Sequence, residues 1–69
     1  MSTVARVIEI SALSTVSFED AVKVGVARAG KTLRNVTSAW VKEQRVDVAD
    51  GHITNYQVNL MVTFVLDDE

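Results

Sequence analysis

The stretch VTSAWVKEQRVDVADGHITNYQVNLMVTFVL, residues 36–66, decides the fold. At its centre stands Asp50-Gly51, a pair suited to the two positive φ angles of a tight hairpin turn. The flanking segments, Val36 to Val48 and Ile53 to Leu66, are rich in β-branched and aromatic side chains and read as two strands. With Asp50 and Gly51 as the loop, Ala49 faces His52 and pairing runs outward in one register. Thr37, Ala39, Val41, Glu43 and Arg45 then oppose Phe64, Val62, Leu60, Val58 and Tyr56, giving a largely apolar face. The other face sets Ser38, Trp40, Lys42, Gln44 and Val46 against Thr63, Met61, Asn59, Gln57 and Asn55. In this register Glu43 and Arg45 lie on the apolar face and read as a structural ion pair near its edge.

Upstream of the hairpin, Phe18, Ala21, Val22, Gly25, Val26, Ala29 and Leu33 recur at the spacing of one helical stripe. Ser17 is a suitable N-cap, with Asp20 three residues on as a short version of the capping box. Glu19 and Lys23 are spaced for an i,i+4 ion pair, and Lys31 and Arg34 suit the negative end of the helix dipole. Asn35 is the expected helix terminator. Gly25 lies on the apolar stripe, where a glycine allows close approach to a sheet. Thr3 to Ile10 reads as a strand, and the Ser- and Thr-rich segment Ser11 to Ser17 as a loop. The order is β-α-β-β, an α+β class.

One helix covers one face of the hairpin and leaves the other bare. That second face mixes Trp40 and Met61 with the uncharged amides of Gln44, Asn55, Gln57 and Asn59. Such a mixture suits a subunit interface or a planar ligand. The 69 residues, 1–69, form a single domain, and 48% of them are hydrophobic. A domain this small needs disulfides, a structural metal or oligomerisation. With no cysteine and one histidine, oligomerisation is the remedy left. A net charge of −2 without a basic block argues against nucleic acid. The apolar run from Leu60 to Leu66, interrupted by Thr63, is too short to cross a bilayer, and the first residues do not resemble a secretory signal. A cytoplasmic location is expected. No nucleophile, base and orienting group can be assembled, so the chain reads as a non-enzyme. His52 and the acidic end, Asp67, Asp68 and Glu69, read as solvated. Asp47 and Asp50 near the turn are a weak cation signal, and no metal ligands are assigned.

Several strings, in order, are similar to the dodecin family of small flavin-binding proteins. They are Arg6 to Ile10, Ser17 to Ala21, Ala27 to Val36, Val41 to Arg45, Asp50-Gly51, Tyr56 to Val58 and the ending Val62 to Leu66. The resemblance covers nearly the whole chain. It implies a three-stranded antiparallel sheet partly wrapped around one amphipathic helix, with the last strand between the first two. It also implies a hollow homododecamer that stores or buffers flavin, with FMN, riboflavin and FAD as candidates. In the family a tryptophan of the second strand stacks on the flavin and a glutamine in the Tyr-Gln-Val string bonds its polar edge. Here the stacking position is Ser38, and Trp40 follows two residues later on the same face. Gln57 is retained. Ser38, Trp40, Gln44 and Gln57 are therefore the expected ligand-binding residues, with Trp40 and Gln57 weighed against a role in packing or hydrogen bonding on a neighbouring subunit. The rival reading is a flavin-free structural shell holding cations at its interfaces.

Overall fold

The computed structural model describes residues 2–67. Four elements follow in order: β1 (Ala5–Ser14), α1 (Phe18–Thr32), β2 (Val36–Ala49) and β3 (His52–Val65). All pairings are antiparallel and the spatial order is β1-β3-β2. The last strand thus lies in the middle, as the resemblance implies. Asp50 (φ 51°) and Gly51 (φ 77°) both adopt the left-handed conformation, which is the type I′ requirement.

β1 runs four residues beyond the expected strand. Ser11 to Ser14, read as loop from their composition, pair with Asn59 to Tyr56 of β3. The Ser11 hydroxyl donates to Asn59 Oδ1 at 2.7 Å, and Ala12 and Ser14 are buried. A long central strand offers partners to whatever lies beside it, and that tertiary gain outweighs the weak strand propensity of serine.

The Ser14 hydroxyl then organises the turn into α1. It accepts from the Val16 and Ser17 backbone N–H groups at 2.9 and 3.4 Å and donates to Asp20 Oδ2 at 2.6 Å. Ser17 caps the helix by accepting from the Asp20 N–H at 2.9 Å. The expected capping box is modified: Asp20 takes the Ser14 hydroxyl, while Ser14 serves the Ser17 N–H. Lys23 and Glu19 form the i,i+4 pair at 3.6 Å. The helix ends at Thr32, earlier than expected. Leu33 is its C-cap, donating to the Ala29 carbonyl at 2.9 Å, and Asn35 (φ 63°) turns the chain into β2.

The helix packs on alternate residues of the sheet. Val58, Leu60 and Val62 are completely buried beneath it, with Ala12, Ala21 and Ala29 completing the core and Ile8, Ile10, Phe18, Val22, Leu33 and Val36 packed around them. Phe18 meets Tyr56 edge to face, with ring centroids 5.2 Å apart. At Gly25 a Cβ would lie 2.8 Å from Leu60 Cδ1 and 3.1 Å from Ala12 Cβ, so the close approach inferred from sequence is real. Six hydrophobic residues are buried, whereas eleven large ones stay exposed among the described residues. The core is too small to use the apolar surface the chain carries.

β2 and β3 have 14 residues each, roughly 46 Å of strand. The 15-residue helix spans only about 22 Å. The molecule is accordingly elongated, 54 × 19 × 13 Å, and no residue of β2 is buried.

The register departs from the uniform one. Ser38 to Val41 pair with Thr63 to Leu60, and Val48 and Ala49 with Ile53 and His52, as expected. Between Glu43 and Asp47 the pairing is shifted by one residue. Lys42 is an extra residue on β2, Thr54 restores the register as an extra residue on β3, and Thr37 is bulged as well. The Thr54 hydroxyl donates to the Asp47 carbonyl at 3.3 Å, which supports the kink there. Because strand periodicity is two, the Lys42 bulge exchanges the faces of the residues after it. Val46 now opposes Tyr56 and Gln44 opposes Val58, both on the helix side. Glu43 opposes Asn59 and Arg45 opposes Gln57, both on the far side.

Candidate functional site

The sheet face turned away from α1 is the candidate site. Its residues form rows across the three strands. Val7, Thr63 and Ser38 make one row, and Glu9, Met61 and Trp40 the next. Ser11, Asn59 and Glu43 follow, then Leu13, Gln57 and Arg45. The strand positions decide this grouping, since paired residues project to the same side.

Trp40 is 51% exposed and stands beside Met61, presenting an indole on an open face. A polar network fills the rows beyond it. Asn59 is its hub: Oδ1 accepts from the Ser11 hydroxyl at 2.7 Å and from Gln57 Nε2 at 3.2 Å, while Nδ2 donates to Glu43 Oε1 at 3.0 Å. Lys42, pushed out by its bulge, reaches across the sheet to Glu9 Oε1 at 3.3 Å. Arg45 and Asp47, two apart on the same face, approach to 3.8 Å.

Ser38, Trp40 and Gln57 therefore share one face, and Gln44 does not. Its expected place beside Gln57 is corrected by the bulge, which turns it to the helix side opposite Val58. Glu43 and Arg45, expected on the apolar face, occupy the site face instead. Asn59 and Lys42 lie on this face as expected, whereas Glu43 and Glu9 are its unanticipated members. The available signal was Val46: in the shifted register it meets Tyr56, an apolar pair, whereas the uniform register gives it Asn55.

Distances along the strand limit what one protomer can hold. From Met61, opposite Trp40, to Gln57 is four residues, about 13 Å. From Thr63, opposite Ser38, to Gln57 is six residues, roughly 20 Å. No single planar ring of three fused cycles spans from Ser38 to Gln57 on one chain.

Elsewhere, the Asp47 and Asp50 region holds no metal-like grouping: among the described residues there is no cluster of three or more His, Cys, Asp or Glu side chains. His52 is exposed beside the hairpin turn. Asp67 is held by Arg34 at 3.2 Å and by Asn35 Nδ2 at 3.0 Å, so this part of the acidic end is anchored. Asp68 and Glu69 lie outside the described residues. Within those residues, no helix is long and apolar enough to cross a membrane.

The family model for dodecins matches residues 4–67. The chain belongs to the dodecin family. A dodecin from Thermus thermophilus is 35% identical over 68 residues, covering 99% of each chain. The solved dodecin from Streptomyces davaonensis superposes with a TM-score of 0.92 at 34% identity, covering 99% of this chain and 100% of that one. A Mycobacterium tuberculosis structure described as a calcium dodecin with a novel calcium-binding site gives a TM-score of 0.80 at 33% identity, covering 96% and 94% of the two chains. Dodecins are small ligand-binding proteins, and the family pattern is one of self-assembly.

Proposed function

We propose that this chain is the protomer of a homododecameric shell that binds and stores a planar heteroaromatic ligand, flavin first, between the far faces of paired subunits. The observation carrying this reading is the exposed Trp40 indole on a face that no element of the chain covers. An isologous pair brings the same patch from two protomers together, so residues remote on one chain become neighbours across the axis. Trp40 and Met61 would supply the stacking surface.

Gln57 suits the polar edge of such a ring. Its Nε2 is committed to Asn59, while no protein donor occupies its carbonyl oxygen among the described residues. That oxygen is available to accept from a ring N–H. Ser38 adds a small hydroxyl where the family carries its stacking indole, leaving room beside Trp40 rather than a second platform. Gln44, facing the helix side, takes no part. The chain contributes binding, orientation and exclusion of water. Cytoplasmic storage rather than catalysis fits this chemistry.

Titration of riboflavin into the protein, followed by flavin fluorescence, tests the reading. Stacking on Trp40 quenches the emission as protein is added; emission unchanged at saturating protein removes flavin and leaves a structural shell. In the same titration Ser38→Trp gains the worth of an added stack, about 1–3 kcal/mol by analogy with bases on aromatics. No gain from that variant means the ligand does not reach the Ser38 row.

A further inference from the structure

The charges on the far face bear on which form of the ligand it takes. Among the described residues five ionic side chains lie there, and they fall into a tight pattern. Lys42 is matched by Glu9 at 3.3 Å and Arg45 by Asp47 at 3.8 Å. Glu43 is the fifth; among the described residues no cation comes within 4 Å of its carboxylate, which is held by the neutral Asn59 amide. Two cations thus face three carboxylates.

The remaining cations are elsewhere. Lys23 and Arg34 form their own ion pairs with Glu19 and Asp67. Arg28 and Lys31 are on α1, on the other side of the sheet, and Arg6 pairs with Phe64 in the helix-side row. A twofold-related copy brings the same five charges and preserves the sign.

A phosphate monoester carries nearly two negative charges at neutral pH. Placed on this face, it finds among the described residues no cation without a carboxylate partner, and it meets a net negative field. Exposed ion pairs are weak one by one. The imbalance, rather than the strength of any single pair, sets the preference. Resting on the ligand-face reading above, we infer that the site selects an uncharged ring system, riboflavin or a neutral heteroaromatic like it, over the corresponding phosphate ester. Glu9, Glu43 and Asp47 act as the selectivity residues by matching or exceeding the positive charge of Lys42 and Arg45.

The test compares riboflavin with its 5′-phosphate on the assembled protein by fluorescence titration, at low and at high salt. Riboflavin binds more tightly in low salt, and the gap narrows as salt screens the repulsion. Asp47→Asn and Glu9→Gln, both isosteric and on exposed side chains, each shift the affinity ratio toward the phosphate ester by about threefold to fivefold. The ratio reads the charge itself, because any general loss of folding or stacking affects both ligands alike. Tighter binding of the phosphate ester, weakening as salt rises, overturns the inference and leaves the proposed function standing. An unchanged ratio in both variants also overturns it. Binding of neither ligand removes the ligand-face reading and this inference together.

Discussion

The two faces of one sheet are made by alternate residues of the same strands, yet they have opposite fates. On the helix side Val58, Leu60 and Val62 are completely buried. Their neighbours in sequence, Gln57, Asn59 and Met61, form a half-exposed face of amides and one thioether beside an open tryptophan. The first face spends its apolar area on the fold. The second is organised by side-chain hydrogen bonds, and among the described residues nothing covers its large apolar groups. Stability and recognition are therefore separated by a periodicity of two, with each strand contributing to both.

The largest effect expected from this comparison is on the packed side. Leu60→Ala removes the central buried side chain and should cost about 2–5 kcal/mol of folding stability, measured by denaturant unfolding at fixed protein concentration. A loss well under 1 kcal/mol would mean that the helix does not depend on this contact. On the open side, Trp40→Ala should instead cost about 1–3 kcal/mol of flavin binding. Gln44→Ala, only four positions along but facing the helix side, should leave flavin affinity unchanged. Equal losses from the two would contradict the bulge at Lys42.

Gly25→Ala sets two small terms against each other. The helix gains about 1 kcal/mol of propensity, while overpacking typically costs about 1–3 kcal/mol. The end of Leu60 can swing aside, but Ala12 Cβ at 3.1 Å is fixed to the β1 backbone. The helix must lift, so a net loss of about 1 kcal/mol is expected in the unfolding midpoint; a gain would show that β1 yields. Ser17→Ala, which removes the N-cap, should cost about 1 kcal/mol in the same measurement and should not alter ligand affinity.

Much of this architecture is legible in the residues. The type I′ turn follows from Asp50-Gly51, the helix and its cap from Ser17 and the apolar stripe, and the close approach from Gly25. The strand order was implied by the resemblance. Two features were not legible, for physical reasons. Ser11 to Ser14 carry no strand propensity of their own and extend because β3 offers them partners. The bulge escapes notice because Lys42, Glu43, Gln44 and Arg45 are all polar. Alternation in such a run has no phase, and only Val46 against Tyr56 reveals the shift. The site was legible to the same extent: Ser38, Trp40 and Gln57 read correctly onto one face, while Gln44 lay beyond the bulge and was assigned to the wrong side.

Assembly is what the bare face implies first. Static light scattering of the unmodified protein at micromolar concentration measures this directly. Twelve protomers of 7.6 kDa predict a mass near 91 kDa, retained on dilution through the micromolar range. A mass of one protomer under those conditions would contradict the account, because the far face would then be solvated as it stands.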